Sequence, residues 1–135
     1  MKAIVYERYG PPEVLHITEV PTPVPQDNDV LIKVHATTAT IGDSRMRSFT
    51  VPRLQWLPAR LYLGIRGPRR KILGMELAGE IADVGKAVTR FKVGDPVLAS
   101  TFEANFGGYA GYKCLPEDGL LVRKPDHLTY GEAAA

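Results

Sequence analysis

The sequence predicts a single, mainly β domain, a small barrel or sandwich with short helices, and three observations carry that reading. Eleven prolines and thirteen glycines punctuate short apolar runs, a pattern of many turns rather than of a helical bundle. Val30, Ile32, Val34 and Ala36 alternate with Leu31, Lys33 and His35, the period of a half-buried strand. With 135 residues, 44% of them hydrophobic, the chain is long enough for one core and too short for two typical domains.

Taken in order, the elements have distinct causes. The alternating strand at 30–36 runs into the loop Thr40-Ile41-Gly42-Asp43-Ser44-Arg45, where Asp43 can cap a helix through Ser44 to Phe49. Leu54, Leu57 and Leu61 then stand at i, i+3 and i+7, predicting a helix with one apolar face, in which Pro58 must either lie in the first turn or break the helix. In ILGMELAGEIADVGKAVTRFKVGDPV, residues 72–97, Gly79 inside an apolar run predicts close backbone approach or a bulge. Gly85 and Gly94 sit where turns call for positive φ. Gly107-Gly108 reads as a loop glycine pair, and Thr129-x-x-Glu132 is a capping box opening a helix that the sequence carries for only one turn.

Charge is strongly segregated. Residues 44–75 contain Arg45, Arg47, Arg53, Arg60, Arg66, Arg69, Arg70 and Lys71 and no acid, whereas the rest carries nine bases against fifteen acids. Three readings are open for this insert: a solvated face whose arginine stems cover apolar surface, a lid that attracts an anionic or polarised ligand, or a nucleic-acid or membrane-surface patch. No apolar run reaches the length of a membrane span, and charges at Lys2 and Glu7 interrupt the N-terminus, arguing against a secretory signal. The single cysteine, Cys114, permits no internal disulfide, which fits a reducing, cytoplasmic setting, and reads as a buried core residue. His16, His35 and His127 are too scattered for a metal site. Glu76 and Glu80, four apart on one strand, are not placed for glycosidase-like acid/base work.

The pattern Gly74-x-Glu76-x-x-Gly79-x-Ile81-x-x-Val84-Gly85, followed by Gly94-Asp95-x-Val97, resembles the signature of the catalytic domain of medium-chain dehydrogenases and reductases. MKAIVYERYGPPEVLHITEVPTPVPQDNDVLIKVHATTAT is similar to that family's opening strands, and GGYAGYKCLPEDGLLVRKPDHLTYGEAAA to its close, so the resemblance spans nearly the whole chain. It implies a GroES-like, partly open β-barrel over residues 1–128. Residues 129–135 then start the helix that links to a Rossmann domain, whose glycine-rich fingerprint is missing here.

The resemblance also implies chemistry. Thr40 falls where the zinc enzymes have cysteine and Met75 where they have histidine, and a hydroxyl and a thioether are poor Zn²⁺ ligands, so no metal is expected. RLYLGIRGPRRKILGMELAG is similar to a zinc-independent, quinone-reductase-like subgroup, which favours the lid reading of the basic insert. The implied activity is hydride delivery from NADPH, held mainly by the absent domain, to a quinone or activated C=C.

By the same resemblance, Thr40, Asp43 and Arg45 are the catalytic candidates, with Thr40, Ile41 and Gly42 against the cofactor. Arg45, Phe49, Trp56 and Met75 would meet the substrate, and Glu76 would anchor a basic residue of the absent domain. Gly79, Gly85, Gly94 and Asp95 are structural. Arg45 stands where quinone reductases often have tyrosine, and its guanidinium could stabilise a developing oxyanion. A homodimeric full-length enzyme is expected, with no nucleic-acid or membrane partner and with the fragment alone inactive. A stand-alone GroES-like binding module and an enoyl-thioester reductase of the same superfamily are the alternatives.

Overall fold

The computed structural model describes residues 1–135. Two antiparallel assemblies form the domain. Strands β1 (Lys2–Val5) and β2 (His16–Glu19) pair as a ribbon, and β3 (Asp29–Thr37), β4 (Glu76–Val84), β5 (Pro96–Ser100), β6 (Tyr112–Pro116) and β7 (Leu121–Arg123) form a sheet in the order β6-β3-β4-β5-β7. Single bridges, Ala3 to Ala110 and Val5 to Ile72, tie the ribbon to the larger sheet without closing a barrel. The partly open β architecture is as expected.

The core lies on one face of that sheet, where Val30, Ile32, Leu77, Ile81, Phe91, Val97, Leu115 and Leu121 pack together. A smaller cluster of Tyr6, Val14 and Leu73 sits beneath the ribbon. From Ile32 the alternation in β3 holds as predicted, while Leu31, expected on the other face, is also buried, opposite Cys114 of β6.

The glycines divide by cause. At Gly79, opposite Val34, an added Cβ would lie 2.0 Å from the Lys33 carbonyl oxygen, so β3 and β4 can approach only over a bare backbone. Gly94 adopts φ +94°, the positive value its turn predicts. Gly85 does not. Its constraint is proximity, since a Cβ there would sit 1.9 Å from the Gln26 carbonyl oxygen. Beside Gly94, buried Asp95 accepts from the Lys92 amide at 3.0 Å and pairs with Arg123 at 3.0 Å, fastening the turn to β7.

Three further expectations are corrected. Helix α1 spans Ile41–Ser48 rather than starting at Ser44, because Thr40 takes the N-cap and Asp43 sits three residues in, completing a capping box. Helix α2 (Trp56–Leu63) does hold Pro58 in its first turn, but Leu54, Leu57 and Leu61 face outward instead of packing. Cys114 is half-buried in β6, opposite Leu31 at the sheet's edge, not in the core; burial pushes its thiol above the ordinary cysteine value. Helix α3 (Tyr130–Ala134) opens with the predicted Thr129–Glu132 capping box and packs on β3, β4 and β5, its Tyr130 ring stacked 4.5 Å from His35.

Candidate functional site

One buried carboxylate organises the region around the β3–α1 junction. Asp43, 4% exposed, accepts through one oxygen from the Thr40 amide at 3.0 Å and the Thr40 hydroxyl at 2.8 Å, and through the other from the Gly74 amide at 2.9 Å. Both oxygens are therefore occupied, and the negative charge also lies in the first turn of α1, where the helix dipole favours it.

Gly74 is the second half of this joint. Its φ is +100°, a Cβ would lie 2.6 Å from the Tyr109 amide, and its carbonyl accepts from the Thr101 hydroxyl at 2.6 Å and the Gly108 amide at 3.1 Å. Only glycine fits a left-handed position with backbone on that side. The chain following β3 is thereby locked to the chain entering β4, and the next residue, Met75, meets Thr40. The Thr40 hydroxyl oxygen lies 3.6 Å from the Met75 sulfur. Gly42 sits against the same thioether, so Thr40, Gly42 and Met75 form one surface, while the exposed side chain of Ile41 stands beside it.

Two tyrosines close this joint from behind. Burial first, and then the nearby Asp43 charge, pushes the Tyr109 phenol well above its ordinary range. Tyr6 rises to about 12 through burial, with the Tyr9 and Asp43 charges adding to it. A cavity of about 270 Å³ lies there, with Leu15, Thr40, Asp43, Ser44, Leu73 and Tyr109 among its walls.

Arg45 faces elsewhere. Two positions along α1 turn it away from Asp43, onto a separate cavity of about 540 Å³ that it lines with Met46, Thr50, Val51, Pro52, Gln55 and Leu63. Phe49 and Trp56 do not line that cavity. They belong to an aromatic group with Tyr9: Tyr9 and Phe49 are 5.0 Å apart, Phe49 and Trp56 6.1 Å. The Arg60 guanidinium inserts among them, 4.7 Å from Phe49, 4.8 Å from Tyr9 and 5.8 Å from Trp56. Phe49 is held left-handed at φ 56° at the end of α1, a conformation an aromatic residue keeps only when its surroundings demand it.

The structure thus brings Thr40, Gly42 and Met75 together over Asp43, and sets Arg45 and the Phe49–Trp56 pair on two neighbouring surfaces. Glu76 is exposed, accepts from the Thr38 hydroxyl at 2.9 Å and has no cation paired with it. Glu80 pairs with His35 at 3.6 Å. No three His, Cys, Asp or Glu side chains cluster as metal ligands. Sequence reasoning missed Tyr6, Tyr109, Thr101 and Arg60; only Tyr109, directly after the Gly107-Gly108 pair, carried a local signal.

Fold and junction together define a partly open antiparallel β domain with short helices, and residues 26–126 match the alcohol dehydrogenase GroES-like domain family. The chain belongs to that family. It is 35% identical to a quinone oxidoreductase of Sus scrofa across its whole length, which is 37% of that relative. The quinone oxidoreductase of Coxiella burnetii superposes with a TM-score of 0.82 at 30% identity, over 99% of this chain and 40% of that one. The Escherichia coli quinone oxidoreductase, solved in complex with NADPH, shares the fold at a TM-score of 0.78 and 24% identity, over 100% of this chain and 36% of that one.

Proposed function

We propose that the full-length protein is an NADPH-dependent oxidoreductase that reduces a quinone or an activated C=C without zinc. Residues 1–128 would be its catalytic domain, and 129–135 would open the helix leading to a nucleotide-binding domain. The observation that carries the reading is the Thr40–Met75 pair at 3.6 Å, set in a chain similar to quinone oxidoreductases over its whole length. Zinc does not fit that pair: the threonine hydroxyl is committed to a carboxylate and its neighbour is a thioether.

Bound at the surface of Thr40, Ile41 and Gly42, the reduced nicotinamide would supply a hydride. Thr40 spends its one hydroxyl proton on Asp43, so toward the cofactor it offers a lone pair, an acceptor for an amide N–H rather than a donor to a substrate oxygen. Asp43 acts as a positioning residue, with both oxygens already engaged. Arg45, on the neighbouring cavity, would donate to the oxyanion formed when hydride adds to an acceptor that spans the two surfaces, and solvent would then protonate that oxygen. Met75 packs at the floor, Trp56 and Phe49 shape the approach, and exposed Glu76 is free to anchor a base of the second domain. The full-length enzyme would be a homodimer in the cytoplasm.

Steady-state assays of the full-length protein with NADPH against quinones, enones and enoyl thioesters test this. Quinone or enone turnover is expected. NADPH oxidation with the thioesters alone would transfer the reading to an enoyl reductase, whose anionic carrier the basic segment also suits. Turnover with none of them would favour a binding module and overturn the proposal.

A further inference from the structure

Helix α2 is oriented against ordinary expectation. Its one charged side chain, Arg60, points inward and is clasped by Tyr9, Phe49 and Trp56 at 4.7–5.8 Å, while Leu57, Pro58, Leu61 and Tyr62 form the outward face. Leu57 is 62% exposed, Leu61 51% and Tyr62 60%, and the preceding turn adds Leu54 at 95%. Rotating the helix to bury these leucines would pull Arg60 out of its aromatic enclosure, so the outward apolar face is built in. A contiguous apolar face of this kind marks an interaction surface.

Charge identifies what it meets. Arg53, Arg66, Arg69 and Lys71 lie exposed around the helix in a stretch free of acids from 44 to 75. Of the five salt bridges in the structure only one involves this stretch, Lys71 to Glu7 at 3.5 Å, so the arginines carry no carboxylate partner. Leucine, tryptophan and tyrosine surrounded by unpaired arginines match a surface that is apolar within and anionic at its boundary. A second copy of this face would oppose like charges. A nucleic acid would leave the leucines without an apolar partner.

We propose that α2 and its flanking arginines dock on an anionic lipid surface, lying in the headgroup plane with Leu54, Leu57 and Leu61 inserted. The sequence reading expects no membrane partner; the face that α2 turns outward argues for one. Docking would bring the 540 Å³ cavity beside Arg45 to the layer where lipid-soluble acceptors reside. That consequence rests on the proposed reductase activity, whereas vesicle binding does not.

Sedimentation of the full-length protein with phosphatidylserine–phosphatidylcholine vesicles, and with phosphatidylcholine alone, tests the docking without any turnover assay. Binding to the anionic vesicles at low salt, released by high salt and weak on the neutral ones, is expected. Arg66→Gln with Arg69→Gln should weaken it about twentyfold or more, from roughly fivefold per basic residue near such a surface. Leu57→Ser with Leu61→Ser, both at exposed positions and checked for an unchanged circular dichroism spectrum, should abolish it. No binding at low salt, or undiminished binding by the leucine variant, overturns the proposal. So does an oligomer that the leucine variant dissolves, because the face would then be covered by another copy.

Discussion

Replacing Asp43 by asparagine isolates the joint on which the candidate site rests. The carboxylate accepts three hydrogen bonds at 2.8–3.0 Å in a position 4% exposed. Asparagine has one acceptor oxygen. If it faces Gly74, its amide group is presented to the Thr40 N–H, donor against donor, and that bond is lost. Bonds to charged groups contribute about 1.5–3 kcal/mol, and the two surviving contacts fall to neutral strength, about 0.5–1 kcal/mol less each. The sum is about 2.5–5 kcal/mol, a large part of the stability of a domain this size. At about 3–5 °C per kcal/mol the melting temperature should fall by about 8–25 °C. Urea and thermal unfolding followed by far-ultraviolet circular dichroism measure both quantities. A variant within about 1 kcal/mol of the parent would show that Thr40, Asp43 and Gly74 are not coupled through this carboxylate.

Other outcomes follow from the same geometry. Gly79→Ala places a methyl 2.0 Å from the Lys33 carbonyl, so the protein should be recovered unfolded or insoluble; a soluble variant with parental melting would contradict the close approach of β3 and β4. Arg45→Ala should lower kcat and kcat/KM together by about tenfold or more, as loss of a charge-assisted bond made in the transition state requires, and Trp56→Ala should mainly raise KM; changes within twofold at both would reduce the segment to a solvated face. Tyr6, Tyr9, Tyr109 and Cys114 all titrate above their ordinary values when folded, so the stability they lend is complete below their unfolded ionisation and is lost as pH climbs through 10 toward about 12 for Tyr6. Lys113, lowered by burial, acts with the opposite sign; a net alkaline decline in melting temperature that Tyr6→Phe makes shallower is the expected record. Elemental analysis after exhaustive dialysis should find no stoichiometric zinc, and about one atom per chain would refute the zinc-free reading.

What was legible in the sequence depended on whether its cause was local. Gly79 could be read from one residue, because a glycine within an apolar strand has few uses. Gly85 was found for the wrong reason: its neighbour is the 26–27 backbone, and no local pattern reports an approach from 58 residues away. The start of α1 was misplaced although Thr40-x-x-Asp43 has the same form as Thr129-x-x-Glu132, which was read correctly. Aspartate is itself a good N-cap, and that competing role hid the box. In α2 the spacing of leucines identified an apolar face but not its direction, since the direction is set by where Arg60 finds Tyr9 and Phe49, 51 and 11 residues distant in sequence. Tyr6 and Tyr109 joined the site through folding alone.

Positioning and catalysis at Asp43 make different demands that its geometry separates. A general acid or base needs an oxygen free to exchange a proton with a reacting atom, and each Asp43 oxygen already holds a donor from its own chain. What the carboxylate does control is the Thr40 hydroxyl, whose proton it holds and whose oxygen it keeps 3.6 Å from Met75. The surface proposed to meet a nicotinamide is therefore set by the same hydrogen bonds that join β3, α1 and β4. Arg45 lies outside that network, on the wall of a separate cavity. On the proposed function, cofactor placement would be tied to the hydrogen bonds that hold the fold, and contact with the acceptor would fall to a side chain outside them.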